Sequence, residues 1–520
     1  MRGALALVVA IGSGCAGNVA TSGSETVQAD SGGDGRDVWF KNTYGNEVFL
    51  TLIFPTLPGG FPLAFDQVLT TPRAQRFTEF GVINDPDCTA GDASTGGLDR
   101  CADPHATGVV GIRKFPNPNF PAAGPPFLVG TTCAACHTGL DAEHPPADPN
   151  APSWDDIAVM PGNQYLRVDR IFGGKLSPHD PRFQVFHSWA PGTLDTTAIW
   201  SDHINNTLAI PAIFNMQDWA SFPASASGRT VTATHQEHGG QDDLGCQRRS
   251  LRVYLSEGMC ARECSLPAAA AGVPIDLDAC RAACPTFAQA EHDVGALCEF
   301  MNGWQPPRLD HAPGGEASID ESVVDRGAAV FAQSCAGCHS PSRDIYSDDV
   351  VHPVGDIGVN SCAARSSNWM AGRIWAQFSS DTYKARPTGG PGFVRDVSLQ
   401  GIWASAPFLH NNRLGAPSAG PGVAARLAAF DDAFDQLLNP SHRNFAASIS
   451  VTSDFIVLPT GATLPAGTPV GAFANSDGAG GTLCPGAQSG FDLVENEGHF
   501  FGAALSDADK YALKEFLKTL

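Results

Sequence analysis

Apolar positions show a helical spacing most clearly at the end of the chain. Four apolar residues there recur three or four positions apart, which predicts an amphipathic helix. They are Leu513, Phe516, Leu517 and Leu520. Ser506 precedes them with Asp509 three residues later, a pattern typical of a helix N-terminus.

A second helix with a matching face is predicted upstream. Ser318 and Glu321 form a capping box, so this helix is expected to begin at Ser318. Val323, Gly327 and Phe331 then fall on one face. Gly327 would let another helix approach closely, and the C-terminal helix is the expected partner.

The first part of the chain has weaker patterns. Apolar and polar residues alternate between Trp39 and Phe54, which predicts a short strand or two. Pro and Gly interrupt most of residues 55–130, and no helix is predicted before Cys133. Residues 150–245 are irregular but rich in Trp and His.

Four cysteines between residues 245 and 302 have helical spacing. Cys260 and Cys264 are four residues apart, as are Cys280 and Cys284, so each pair lies on one helix face. Pro267, Pro274 and Asp276 mark the turn between the two helices. Antiparallel packing would make this segment a helical hairpin joined by disulfides.

Two short motifs carry the chemistry. Cys133-Ala-Ala-Cys136-His137 and Cys335-Ala-Gly-Cys338-His339 are both C-x-x-C-H, the attachment pattern of c-type haem. Two thiols at this spacing can bond the two vinyl groups of one haem, and the adjacent His can bind the iron. We therefore expect two covalent haem c groups, with proximal iron ligands His137 and His339. A zinc knuckle, or a disulfide beside an unrelated His, is the alternative.

The remaining cysteines allow a complete pairing. Removing Cys15 and the four motif cysteines from the fifteen in the chain leaves ten, an even number. The expected disulfides are Cys88–Cys101, Cys246–Cys298, Cys260–Cys284, Cys264–Cys280 and, by elimination, Cys362–Cys484. Such a framework indicates an oxidising, extracytoplasmic compartment.

The N-terminus also predicts export. Residues 1–15 read as a short export signal ending in a lipoprotein box at Cys15, and residues 16–37 read as a flexible tether. The protein is thus expected to be periplasmic or an outer-membrane-anchored bacterial lipoprotein. Ordinary cleavage is the alternative.

Length and charge limit the function classes. The chain has 520 residues and a net charge of −22, which argues against nucleic-acid binding and leaves room for a basic redox partner. We expect an N-terminal haem domain at 38–304, a linker at 305–317 and a C-terminal cytochrome c domain with a long insertion at 318–520. The predicted fold is mainly α and loop-rich, with two cytochrome-c-like haem domains, the disulfide-pinned hairpin and a few short strands.

A family resemblance rests on three stretches. They are the two haem motifs, Ser398-Leu-Gln-Gly-Ile-Trp-Ala-Ser-Ala-Pro-Phe-Leu-His410-Asn, and Gly498-His499-Phe-Phe-Gly502. From about residue 120 to its end the chain resembles the di-haem cytochrome c peroxidase and MauG superfamily, in particular its rubber-oxygenase RoxA-like branch. Asn412 stands where that family usually has Gly.

The resemblance and the residues together suggest the sixth ligand of the second haem. His499 follows a Gly that permits close backbone approach and precedes the last helix, and the resemblance also implies a His at this place. Ligation by His339 and His499 would give a low-potential electron-transfer haem. His410 is the runner-up, expected otherwise near a haem edge or in a loop hydrogen bond, and Met370 is a third candidate.

The sequence does not identify a sixth ligand for the first haem. In the oxygenase branch this haem binds oxygen beneath a Trp-Asp-Gly-like stretch, whereas this chain has Glu237-His238-Gly239-Gly240 at a comparable place, without the Trp. His235, Glu237 and His238 are the candidate catalytic residues, because a peroxidase needs a distal acid or base. His238 is also a candidate iron ligand.

The predicted function is electron transfer by an exported di-haem c-type cytochrome, with a redox protein or a small oxidant as its partner. The alternative is an oxidoreductase, either a di-haem peroxidase or a haem-dependent dioxygenase, whose reactive centre is the N-terminal haem. A haem-stiffened scaffold lipoprotein is a third possibility.

Overall fold

Helices dominate the part of the chain that the computed structural model describes, and its strands are short. The described residues are 34–57, 60–195, 207–214, 246–301, 304–339, 351–362, 364–365, 370, 372–378, 393–395, 399–444, 449–457, 462–469 and 494–520. Within these ranges no helix has both the length and the hydropathy needed to cross a bilayer.

The helices are α1 Gly35–Lys41, α2 Asn46–Val48, α3 Phe65–Thr70, α4 Arg73–Phe80, α5 Cys133–His137, α6 Val168–Gly173, α7 Pro181–His187, α8 Cys246–Ser256, α9 Leu266–Ala271, α10 Leu277–Ala283, α11 Pro285–Met301, α12 Glu321–Ser334, α13 Val354–Ile357, α14 Val423–Leu438 and α15 Asp507–Leu517. The strands are β1 Cys88–Thr89, β2 Arg100–Cys101, β3 Ile112–Pro116, β4 Phe127–Thr131, β5 Thr138–Leu140, β6 Ile157–Val159, β7 Thr193–Leu194, β8 Leu208–Ala209, β9 Val351–Pro353, β10 Phe393–Arg395, β11 Phe455–Val457 and β12 Ala462–Leu464. Each strand pairs with its neighbour in sequence as a two-stranded antiparallel ladder.

The strand predicted between Trp39 and Phe54 is wrong, because this segment is helical. Asp34 caps α1 by accepting a hydrogen bond from the backbone N–H of Arg36 at 2.9 Å. After α2, Phe49–Ile53 forms a π-helical turn. Consecutive side chains such as Val38 and Trp39 are both buried, so the period of two that a half-buried strand needs never forms. Helices α3 and α4 likewise contradict the expectation that no helix precedes Cys133.

Four of the five predicted disulfides are confirmed. Cys88–Cys101, Cys246–Cys298, Cys260–Cys284 and Cys264–Cys280 are all bonded. Asp276 caps α10, as a turn residue at that place predicts, by accepting from the backbone N–H groups of Asp278 and Ala279. One detail differs, since Cys264 lies on a π-helical turn, Ala261–Ser265. Cys362 is also disulfide-bonded, and Cys484 lies outside the described residues.

The helix pair predicted around Gly327 is present. The most extensive contact between two described elements joins α12 and α15. A Cβ atom on Gly327 would collide with the carbonyl oxygen of Ala512 and approach Cβ of Phe516 to 2.6 Å, so the helices meet where only glycine fits. Ser506 caps α15 as expected, but Asp320, not Ser318, caps α12. Ser318 instead ends a 3₁₀ turn.

Two large buried apolar clusters organise the described part of the chain. The first joins the helices before residue 302, and it also contains Met370, Trp375 and Phe378 from the later part of the chain. The second contains Phe331, Trp403, Phe430 and Leu513 among others. Cys133 and Cys136 pack against the first cluster and Cys335 packs against the second, so each C-x-x-C-H motif has its own core.

Candidate functional site

Strand β4 and helix α5 present the first motif. Thr132 follows β4 and caps α5, its hydroxyl accepting from the backbone N–H of Ala134 at 3.2 Å. The five residues of α5 are the motif itself, so its two cysteines and His137 share one short helix. Neither cysteine forms a disulfide with a described residue. Burial raises the pKa of the Cys133 thiol to about 12.

His137 is oriented by a backbone carbonyl. Its Nδ1 lies 3.1 Å from the carbonyl oxygen of Pro211. Burial lowers the pKa of His137 to about 4, so the ring is neutral at pH 7 and Nδ1 carries the proton that is donated. Nε2 is then the unprotonated nitrogen, which is the form of imidazole that binds a metal.

The disulfide-bonded hairpin forms a wall beside the first motif. Tyr254 of α8 places its hydroxyl 3.5 Å from Sγ of Cys133, and its ring lies 3.8 Å from that of Tyr44. Glu257 follows α8, and its carboxylate accepts from Asn46 at 3.0 Å and from the hydroxyl of Thr131 at 2.9 Å. Desolvation raises the pKa of Glu257 to about 7. The first motif therefore has a buried carboxyl group close to it.

The second motif lies at the end of α12. The backbone N–H of Cys335 donates to the carbonyl of Phe331 at 2.8 Å, and that of His339 donates to Cys335 at 2.9 Å. Hydrogen-bonded turns thus continue from the end of α12 through the motif. Burial raises the pKa of the Cys335 thiol to about 11.

His499 faces His339 across the second motif. Their ring centroids are 6.2 Å apart and the rings are tilted by 46°. Two imidazoles bound on opposite sides of one iron, with metal–nitrogen bonds of about 2 Å, would have centroids about 6 Å apart. Nδ1 of His499 is buried and has no hydrogen-bond partner among the described residues. Desolvation and the neighbouring His339 lower the pKa of His499 to about 4, so this ring is neutral as well.

The backbone conformation at Gly498 and His499 restricts which residues can occupy these positions. Gly498 and His499 both have positive φ angles, 81° and 49°. A Cβ atom on Gly498 would collide with the backbone of Val359, so glycine is required there. The backbone N–H of His499 donates to the carbonyl of Ile357 at 2.8 Å. A non-glycine residue held in this conformation is typical of a functional position.

His410 approaches a carboxyl group. Its Nε2 lies 3.3 Å from Oε1 of Glu495, and both side chains are buried. Burial lowers the pKa of His410 to about 4 and raises that of Glu495 to about 7, so at neutral pH this is not a fully charged ion pair. Met370, the third ligand candidate, is buried in the first core cluster.

A cavity of about 770 Å³ connects these groups. Its volume is within the range of small-molecule and cofactor sites, about 300–1,000 Å³. Cys335, Cys338, His339 and His499 line it. Gly139 and Leu140, directly after the first motif, also line it, so the cavity reaches from one motif to the vicinity of the other. The thiols, the facing imidazoles and this space together fit a covalently attached haem.

Some candidates remain without a structural description. His235, Glu237 and His238 lie outside the described residues. In the described part of the chain, no group of three or more His, Cys, Asp or Glu side chains could hold a metal ion by itself. A haem iron needs only two axial protein ligands.

The sequence did not reveal Tyr254, Glu257 and Glu495 as neighbours of the two motifs. Each comes from a segment far from its motif in the chain. The only local signal was position, since Glu257 closely precedes the paired Cys260 and Glu495 closely precedes the Gly498-His499 stretch.

Comparison with known proteins adds little to this picture. No family model matches the chain. A stretch of 149 residues is 26% identical to the uncharacterized protein y4iM of Sinorhizobium fredii (strain NBRC 101917 / NGR234), covering 24% of this chain and 32% of that protein. The chain thus matches about a third of the length of this curated relative. The name of that protein states no activity, so the function is inferred from the residues of the two sites.

Proposed function

We propose that this protein is an exported di-haem c-type cytochrome that transfers electrons. Cys133 and Cys136 would hold one haem c, with His137 as iron ligand. Cys335 and Cys338 would hold the other, with His339 and His499 as axial ligands. A haem with two imidazole ligands supplies one-electron transfer and leaves no coordination position for a substrate.

The facing imidazoles of His339 and His499 carry this proposal. Their spacing of 6.2 Å suits two ligands of one iron, and both line a cavity of cofactor size beside two thiols. His410 has a different neighbour, Glu495, at 3.3 Å. The resemblance to the di-haem peroxidase and MauG superfamily points the same way.

Export is proposed on independent grounds. The four disulfides require an oxidising compartment, which for a bacterial protein means the periplasm or the cell surface. The lipid anchor at Cys15 lies outside the described residues and remains a prediction.

A second candidate function is a peroxidase or a dioxygenase at the first haem. Among the described residues no second imidazole ring faces His137, whose described partner is the Pro211 carbonyl. The carboxyl group of Glu257 lies near the motif, and desolvation raises its pKa to about 7, which suits an acid–base role. A basic redox partner would deliver electrons in either case.

The test begins with the intact mass of the purified protein, which should exceed the chain mass by two haem groups. His499→Ala should then convert one low-spin haem to a high-spin form in absorption and EPR spectra, because it removes an axial ligand. His410→Ala is the matched control and should leave the low-spin signal unchanged. A protein without covalent haem would refute the proposal, and an unchanged His499→Ala spectrum would move the ligand to another residue.

A further inference from the structure

A buried arginine lies directly behind the His499 backbone. The side chain of Arg443 is 5% exposed. Its Nη1 donates to the carbonyl oxygens of Gly498 at 2.8 Å and Asn496 at 2.9 Å. Its guanidinium carbon lies 4.9 Å from the centre of the Phe500 ring. The cation is thus one residue away from the proposed iron ligand on each side.

The other donors of this guanidinium bind the end of a helix. Nε donates to the carbonyl of Gln436 at 2.8 Å and Nη2 donates to that of Leu437 at 3.1 Å. These residues belong to the last turn of α14, where carbonyl groups lack helical partners and carry partial negative charge. Arg443 therefore ties the C-terminus of α14 to the loop that presents His499.

Among the described residues, backbone carbonyls rather than a directly bonded carboxylate surround the charge of Arg443. Its hydrogen-bond acceptors are four backbone carbonyls, and it forms no ion pair within 4.0 Å with any described residue. Glu495 is close enough to act on Arg443 electrostatically, but its carboxyl group approaches His410, and burial raises its pKa to about 7. A buried positive charge without a hydrogen-bonded carboxylate is costly, so its presence beside the proposed haem site indicates a use.

We propose that Arg443 sets the reduction potential of the second haem by placing a buried cation, held by backbone carbonyls, next to the His499 ligand. This inference rests on the proposed function, and it adds a residue that tunes the site without touching the iron. Reduction adds one electron to the haem. A fixed positive charge stabilises the reduced state more than the oxidised state, and the low dielectric of the interior strengthens the effect. Arginine suits this role because it stays protonated when buried.

The experiment is a potentiometric titration of the two-haem holoprotein, followed by absorption spectra that resolve the low-spin haem. Arg443→Gln should lower the midpoint potential of the second haem while the first haem and the low-spin spectrum stay unchanged. Arg443→Lys should restore most of the wild-type potential, because it restores the charge but not the fork of hydrogen bonds. Arg326→Gln is the control, since it removes an exposed charge from α12, where solvent screens it.

Three results would overturn the inference. They are an unchanged potential in Arg443→Gln, equal shifts in Arg443→Gln and Arg443→Lys, and loss of the low-spin spectrum in Arg443→Gln, which would make Arg443 only a structural support. If Arg443→Gln does not fold, Arg443→His replaces it. Its second-haem potential should fall with rising pH more steeply than that of the wild type, and equal slopes would also overturn the inference. A wild-type protein lacking covalent haem would refute the proposed function itself, so the two failures are distinguishable.

Discussion

Glu257 should make the stability of the protein depend on pH. Its carboxyl group is desolvated beside the first motif, and its pKa rises from 4.5 to about 7 on folding. The folded protein therefore binds this proton more tightly than the unfolded chain does. The resulting stabilisation is fully present below pH 4.5 and is lost as the pH rises towards 7.

The magnitude follows from the size of the pKa shift. Each pKa unit corresponds to about 1.4 kcal/mol, so a rise from 4.5 to about 7 amounts to at most about 3 kcal/mol. Glu257→Gln removes the titrating group and keeps an oxygen that can accept from Asn46 and Thr131. The variant should thus gain up to about 3 kcal/mol in free energy of unfolding relative to the wild type between pH 4.5 and 7.5.

Guanidinium unfolding at several pH values, with the disulfides intact, measures this difference. Glu299→Gln is the matched control, because Glu299 is an exposed carboxylate on the same hairpin. The control should run parallel to the wild type across the pH range. Parallel curves for Glu257→Gln and the wild type would show that Glu257 ionises freely, and they would refute its description as a buried, desolvated acid.

Three further predictions concern packing, ligation and thiols. Gly327→Ala should lower the free energy of unfolding by at least about 1–3 kcal/mol, measured by thermal or guanidinium unfolding, because its Cβ meets the Ala512 carbonyl; wild-type stability in this variant would mean that α12 and α15 do not touch there. If the protein holds the two proposed haems, carbon monoxide added to the reduced protein should bind at the first one only and leave the absorption spectrum of the haem proposed between His339 and His499 unchanged. Two haems that both ignore the gas would favour a plain electron carrier. Denatured, non-reduced holoprotein should show no alkylatable thiol by mass spectrometry, and even one labelled cysteine would contradict the pairing.

Short sequence patterns predicted the features that depend on a few neighbouring residues, namely disulfide pairs, helix caps and a close helix contact. The pairing of Cys260 with Cys284, expected from two cysteine pairs of i,i+4 spacing, is confirmed. Both residues lie at the ends of helical segments, since Cys260 precedes a π-helical turn and Cys284 follows α10. Ser506 was correctly identified as a cap, and Gly327 as a helix contact, since small or hydroxylated residues at these places have few other uses. The prediction that Ser318 caps α12 is wrong, because Asp320, two residues later, caps this helix instead.

Long-range contacts were beyond the sequence. The residues next to Trp39 are buried as well, so apolar and polar positions in this helix do not follow the alternation from which a strand was predicted. Glu257 and Arg443 reach their sites through contacts that join distant segments, and a single sequence has no signal for such pairs. A preceding glycine and a family resemblance single out His499 in the sequence, and its ring lies 6.2 Å from that of His339, while its role as an iron ligand stays a prediction.

The hairpin beside the first motif has a consequence for how the protein matures. Tyr254 and Glu257 lie on a segment held by Cys246–Cys298 and Cys260–Cys284, so this wall requires oxidised sulfur. The thioether bonds proposed for the adjacent motif require reduced sulfur. A C-x-x-C pair closes readily to a disulfide. If haem is attached as proposed, biogenesis has to keep the motif thiols reduced while the neighbouring hairpin thiols are oxidised, so the timing of haem attachment would decide which bonds form.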